Sequence, residues 1–135
     1  MKKQGTFSMS LTRGVVVAGP EATAMEIAGL MKESDIGAVV IMEGDRIAGI
    51  VSERDIVRRI VADGKDASCA KASEFMTANV MTADYKDGLK KIYEILCSVK
   101  FRHLPIVDNG KLVGIASQRD LLYGPQIENT PAGDA

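Results

Sequence analysis

Tryptophan is absent from the 135 residues, and only three tyrosines and three phenylalanines are present. A protein that stacks single-stranded bases on aromatic platforms needs more rings than that. Neither sign of charge is in excess: seventeen Lys and Arg stand against eighteen Asp and Glu, a net charge of −1. That balance gives no bulk attraction to a phosphodiester backbone or to anionic lipid, so nucleic acid is not expected as a partner. One histidine, His103, and two cysteines, Cys69 and Cys97, cannot complete a four-ligand zinc site without carboxylates. The cysteines make no CxxC pair and read as buried free thiols in a reducing compartment. Long apolar runs are missing as well. The stretch from Gly14 to Gly19 is too short for a signal core or a membrane span, so a cytoplasmic protein without a membrane partner is expected.

What is present is ordinary for a folded domain: 46% hydrophobic and 26% charged residues. The informative feature is internal repetition. Sliding the chain along itself by 65 positions lays Gly49-Ile50-Val51-Ser52-Glu53-Arg54-Asp55 on Gly114-Ile115-Ala116-Ser117-Gln118-Arg119-Asp120. Upstream, Val15, Ala18, Ile27 and Ile41 fall on Val80, Ala83, Ile92 and Ile106. Residues 14–57 against 79–122 give nine identities in 44 positions, without a gap. Chance would supply roughly three. The chain is a duplication.

Each copy predicts the same elements. A short strand, Val15–Val17 or Val80-Met81, precedes a helix with apolar residues at helical spacing: Ala24, Ile27, Ala28, Met31, and then Leu89, Ile92, Leu96, Val99. Two apolar runs follow, Ala38–Met42 and Arg46–Val51, matched by Leu104–Val107 and Lys111–Ala116. Gly44-Asp45 and Asn109-Gly110 between them suit tight hairpins. A last helix starts after Ser52 and after Ser117, giving β-α-β-β-α twice. The predicted boundaries are 8–62 for the first repeat, 63–72 for a linker, 73–123 for the second repeat and 124–135 for a tail. Residues 63–77 read as a polar joint. Halves of about sixty residues bury little core alone, so the copies are expected to pack on each other. Met25, Met31, Met42 and Met76 read as core fillers.

The repeated Gly-Ile-x-Ser-x-Arg-Asp supports two readings. Ser52 with Asp55, and Ser117 with Asp120, have the spacing of a helix capping box, a purely structural use. Yet Gly49 and Gly114 lie within strands, where glycine often marks close approach of another backbone or of a ligand. A helix N-terminus suits phosphate, but an Asp in its first turn repels it. A ligand offering neutral donors to the carboxylate, such as ribose hydroxyls, satisfies both conditions. Arg54, Arg58 and Arg59 read most simply as a solvated helix face. Ile56, Val57, Ile60 and Val61 widen the apolar face of that helix, either as core or as a partner surface.

With the doubled signature and Arg102-His103-Leu104-Pro105-Ile106-Val107-Asp108 in view, the chain resembles a tandem cystathionine-β-synthase-type (CBS) domain pair over residues 8–123. The resemblance implies an α/β (α+β) fold of two β-α-β-β-α repeats with pseudo-two-fold symmetry, sheets facing each other and helices outside. It further implies a non-catalytic regulatory module that binds AMP, ADP, ATP or S-adenosylmethionine between the repeats, forms a homodimer and signals to a partner protein. No required cofactor and no metal site are expected in this chain. Carried over, one cleft would combine Ser52, Arg54 and Asp55 with Thr82, Arg102 and His103. The other would combine Ser117, Arg119 and Asp120 with Val17, Gly37 and Ala38, helped by Thr12 and Arg13. The first carries a hydroxyl, an arginine and the sole histidine where the second has small or apolar residues. It is therefore expected to be the better phosphate-bearing site. The alternative is a ligand-free structural or adaptor module.

Overall fold

The computed structural model describes residues 15–97 and 102–117. Among these the chain divides into two units, one spanning Val16–Val80 and the other beginning at Met81. In the first unit β1 (Val17–Ala18) precedes α1 (Ala24–Ser34), β2 (Ala38–Glu43), β3 (Arg46–Ser52) and α2 (Glu53–Ile56). α2 runs directly into a π-helical turn, Val57–Val61, and a short α3 follows (Ala72–Phe75). The second unit has β4 (Ala83–Asp84), a 3-10 turn (Tyr85–Asp87), α4 (Gly88–Leu96), β5 (His103–Asp108) and β6 (Lys111–Ser117). The α/β class expected from the sequence is what forms. The opening strands lie later than expected: pairing begins at Val17 rather than Val15, and at Ala83 rather than Val80-Met81.

The duplication holds down to single pairings. Among the described residues each sheet has three strands, with the middle one parallel to the first and antiparallel to the third. Ala18 pairs with Ile41 as Ala83 pairs with Ile106, and Ala38 pairs with Ser52 as His103 pairs with Ser117. Even the irregularity recurs, between Ile41 and Met42 and between Ile106 and Val107. The hairpins reach one register by different means. Asn109 and Gly110 both have positive φ, as a type I′ turn requires, whereas only Gly44 does in the first copy.

Middle strands are buried along most of their length, which accounts for their unbroken apolar runs. Val39, Val40 and Ile41 are fully buried in one unit, and Leu104, Pro105 and Ile106 in the other. Val39 and Ile41 pack with Ile27 and Met31 of α1, Ile60 of the π-helical turn and Phe75 of α3. Leu104 and Ile106 pack with Ile92 and Leu96 of α4.

Residues 63–77 are more than the polar joint the sequence suggested. A helix start leaves its first amides without intrahelical partners. Here the N–H groups of Ala24 and Met25 donate to the carbonyls of Ala70 and Ala67 at 2.9 Å each. Thr23 and Glu26 form a capping box that serves the next amide. Ala72 and Phe75, 0% and 2% exposed, close the core beneath this helix. The segment thus completes the first unit, and its small residues let backbone reach backbone.

Two further expectations change, and one left open divides. Cys69 and Cys97 are free, but both are exposed rather than buried. Met25 lies on the outer face of α1, 57% exposed, whereas Met31 is in the core and Met76 packs against it. In the helix after Ser52, Ile60 is core while Val57 and Val61 are exposed. The second copy's last helix, the tail from 124, and Val99 lie outside the described residues.

Gly49 shows why its strand position has no side chain. A Cβ there would lie 2.6 Å from Met76 Sδ and 2.8 Å from the Thr77 carbonyl oxygen. Thr77 is held in place because it and Ile50 exchange N–H···O bonds of 3.0 and 2.9 Å. Gly49→Ala is therefore expected to destabilise the protein by about 1–3 kcal/mol, as overpacking does. Urea denaturation measures this, and an unchanged midpoint would show that the Met76–Thr77 segment yields freely.

Candidate functional site

The junction between β3 and α2 gathers several of the candidate residues. Ser52 ends the strand in extended conformation, and its hydroxyl accepts from the Asp55 N–H at 3.2 Å. In return Asp55 Oδ2 accepts from the Ser52 N–H at 2.9 Å. The sequence leaves capping open as one use of this pair, and the structure makes the cap. Alongside, Gly37 accepts the Glu53 N–H on its carbonyl at 2.9 Å, and Ala38 is the cross-strand partner of Ser52. Gly37, Ala38, Ser52 and Asp55 therefore meet at one end of the first sheet. Arg54 is exposed on α2. Val17 stands in β1 opposite Val40, 45% exposed.

In the second unit, Arg102 is exposed immediately before β5, and His103 opens that strand as partner of Ser117. Thr82 is half-buried just ahead of β4. His103 and Ser117 hold the register positions of Ala38 and Ser52. Arg119 and Asp120, like Thr12 and Arg13, lie outside the described residues.

The Asp55 side chain is 14% exposed. A carboxylate accepts at about four lone-pair positions, and the backbone N–H of Ser52 uses one of them. Acceptor capacity for two hydroxyl donors remains. The close approach marked by Gly49 is that of Met76 and the Thr77 backbone, the protein's own chain.

Arg59 was not singled out by its sequence. Its run with Arg54 and Arg58 suggests a solvated face, yet its Nη1 donates to the carbonyls of Phe75 at 3.0 Å and Met76 at 3.4 Å. Its Nε lies 3.9 Å from Asp55 Oδ1. The four-residue spacing from Asp55 is a readable sign of that ion pair. The carbonyl contacts, sixteen and seventeen positions away, leave no trace in the sequence.

Among the described residues, no group of three or more His, Cys, Asp or Glu side chains is placed to hold a metal ion. No described helix is long and apolar enough to cross a membrane.

Outside the site, Asp66 is held below its ordinary carboxylate value, first by the Ser68 hydroxyl at 2.6 Å, then by the Ser68 N–H at 2.9 Å and the Cys69 thiol. A group lowered in the folded state contributes stability above its unfolded value of 3.8, and that contribution fades as pH falls through the lower folded value. Lys71 moves the opposite way, raised chiefly by its hydrogen bond to Glu21.

A family model for the CBS domain matches residues 8–62 and again 72–125. An uncharacterized protein of Methanopyrus kandleri is 39% identical over 112 residues, which cover 82% of this chain and 57% of that protein. This chain thus spans little more than half of that relative. A solved structure of a CBS domain protein from Pyrobaculum aerophilum complexed with AMP is 31% identical, with a TM-score of 0.78 and coverage of 91% and 94% of the two chains. Hypoxic response protein 1 of Mycobacterium tuberculosis is 30% identical over 112 residues, 82% of this chain and 78% of that protein. A solved structure of Hypoxic Response Protein I with two coordinated zinc ions has a TM-score of 0.69 at 27% identity, covering 84% and 95% of the chains.

Replacing Asp66 by Asn is expected to flatten the acid limb of the stability profile without moving the neutral plateau's shape. Urea midpoints across the acid range read this. An Asp66→Asn profile that keeps the parent's acid slope would remove Asp66 from the account of it.

Proposed function

The chain belongs to the CBS-domain family, with two copies of the domain, and on that premise we propose that it is a regulatory module for adenosine derivatives. It grips the ribose of AMP, ADP, ATP or S-adenosylmethionine and passes its state of occupancy to a partner protein. The observation that carries this reading is the Asp55 carboxylate, oriented by the Ser52 N–H and still able to accept from two donors. Support comes also from the AMP complex of the Pyrobaculum relative.

In this proposal Ser52, Arg54 and Asp55 of the first repeat act with Thr82, Arg102 and His103 of the second. Ser117, Arg119 and Asp120 act with Val17, Gly37 and Ala38. Asp55 and Asp120 take the vicinal hydroxyls, and Arg102 and His103 face phosphate. Aliphatic side chains such as Ile50, Ile115 and Val80 take the base, which predicts modest discrimination among adenine ligands. No group is assigned a catalytic role: a nucleophile paired with a base and an orienting third residue is not part of the reading. The module works in the cytoplasm as a homodimer and reports cellular energy state through the adenine ligand. Occupancy alters a partner only if the ligand binds two arrangements of the module with different affinity.

One observation favours a second reading, a ligand-free adaptor. The Ser52–Asp55 box already satisfies the backbone it touches, which is reason enough for both residues. The two readings separate on Asp55→Asn, whose amide oxygen can keep the cap but offers fewer acceptor sites. Two hydrogen bonds to a carboxylate are worth about 3–6 kcal/mol together. Asp55→Asn and Asp55→Ala are expected to weaken AMP binding by on the order of a hundredfold or more in calorimetry. Only Asp55→Ala is expected to cost about 1 kcal/mol of stability as well. No AMP binding by the parent would leave the adaptor reading standing, and full affinity in both variants would remove Asp55 from the ribose.

A further inference from the structure

We infer that Arg59 is a positioning residue for the Asp55 carboxylate, an inference that rests on the ribose-binding reading of Asp55. Hydrogen bonding fixes one carboxylate oxygen, Oδ2, against the Ser52 N–H at 2.9 Å. Torsion about the Cβ–Cγ bond is broad for Asp, so one bond leaves the plane of the carboxylate loosely set. The second oxygen, Oδ1, lies 3.9 Å from Arg59 Nε. That distance is an ion pair rather than a hydrogen bond, and it biases the plane without consuming an acceptor position.

Arg59 can do this because its own far end is tied down. A half-exposed arginine on a helix ordinarily samples many rotamers. Here Nη1 donates to the Phe75 carbonyl at 3.0 Å and the Met76 carbonyl at 3.4 Å. Those carbonyls belong to a segment fixed at both ends. Phe75 is 2% exposed in the core, and Thr77 is paired with Ile50 of β3. Gly49, lacking a Cβ, is what lets Met76 and Thr77 lie against the strand. The turn that carries Arg59 is itself irregular, since Ala62 N–H bonds Val57 O and Lys65 N–H bonds Ile60 O, both five residues back. A π-helical turn changes the angular spacing of successive side chains and recurs at functional sites. In this chain it carries the arginine that faces both Asp55 and the end of α3.

The connection therefore runs from Gly49 and Ile50 to Met76 and Thr77, through Arg59, to Asp55, all within the first unit. Its consequence is specificity for hydroxyls. A correctly turned carboxylate discriminates AMP from 2′-deoxy-AMP, and a loosened one discriminates less.

The test is calorimetry of AMP and 2′-deoxy-AMP on the parent, Arg59→Gln, Arg59→Met and Asp55→Ala, with a thermal melt of each. Arg59→Gln keeps an N–H donor for the carbonyls and guards against loss of fold. Both Arg59 variants are expected to bind AMP roughly tenfold more weakly. The AMP to 2′-deoxy-AMP ratio is expected to shrink with it, whatever the change in melting temperature. A structural arginine would lower the melt and leave that ratio alone, and such a result overturns the inference. Asp55→Ala separates the two levels. If it loses AMP affinity while the Arg59 variants keep both affinity and ratio, only the positioning role falls. If Asp55→Ala itself binds AMP as the parent does, the ribose-binding reading falls first.

Discussion

The reciprocal pair between Ser52 and Asp55 is the constraint on which the candidate site depends. It ends β3 and starts α2 with two hydrogen bonds, one of which anchors a single oxygen of the Asp55 carboxylate. Each partner satisfies a backbone donor that the helix start would otherwise leave open. A carboxylate has more acceptor positions than a cap consumes, so structural and recognition duties do not compete for the same lone pairs. That surplus is why a residue so well explained by local structure can also carry a ligand.

Around this pair the first unit is built by backbone contact. The Glu53 N–H reaches the Gly37 carbonyl, and Ile50 and Thr77 exchange both their bonds. Ala67 and Ala70 supply carbonyls to the start of α1. Small residues stand at these approaches, and Gly49 is the most restrictive of them. The second unit repeats the sheet pairing, and among its described residues one helix start differs. Its α4 starts at Gly88, with φ of 86°, after a 3-10 turn capped by Asp84, where α1 has the Thr23–Glu26 box. Duplication has kept the register of the strands and let the start of this helix diverge.

Much of the fold was legible because strand register and hydrophobic pattern are written twice. The offset of 65 positions placed Ser52 on Ser117 and Ile41 on Ile106, and both equivalences hold in the pairing. The first strands start later than composition suggests, because Val15-Val16 and Val80-Met81 are β-prone while pairing depends on where β2 and β5 lie. The habits of free thiols place Cys69 in the interior. Instead it sits at an exposed turn, bonded to Asp66. Within the site, the Ser-x-x-Asp pair was readable from spacing alone. The carbonyl contacts of Arg59 were not, since they depend on how 66–77 folds back, and Ala, Ser and Lys there signal little. Gly49 announced a close approach correctly but could not say whose: it is that of the chain itself.

The most direct measurement compares AMP with 2′,3′-dideoxy-AMP on the unaltered protein by titration calorimetry. If the free lone pairs of the Asp55 carboxylate hold a vicinal diol, the dideoxy compound binds on the order of a hundredfold more weakly. Equal affinities for the two compounds would contradict the account, because a carboxylate that ignores both hydroxyls is a helix cap and nothing more.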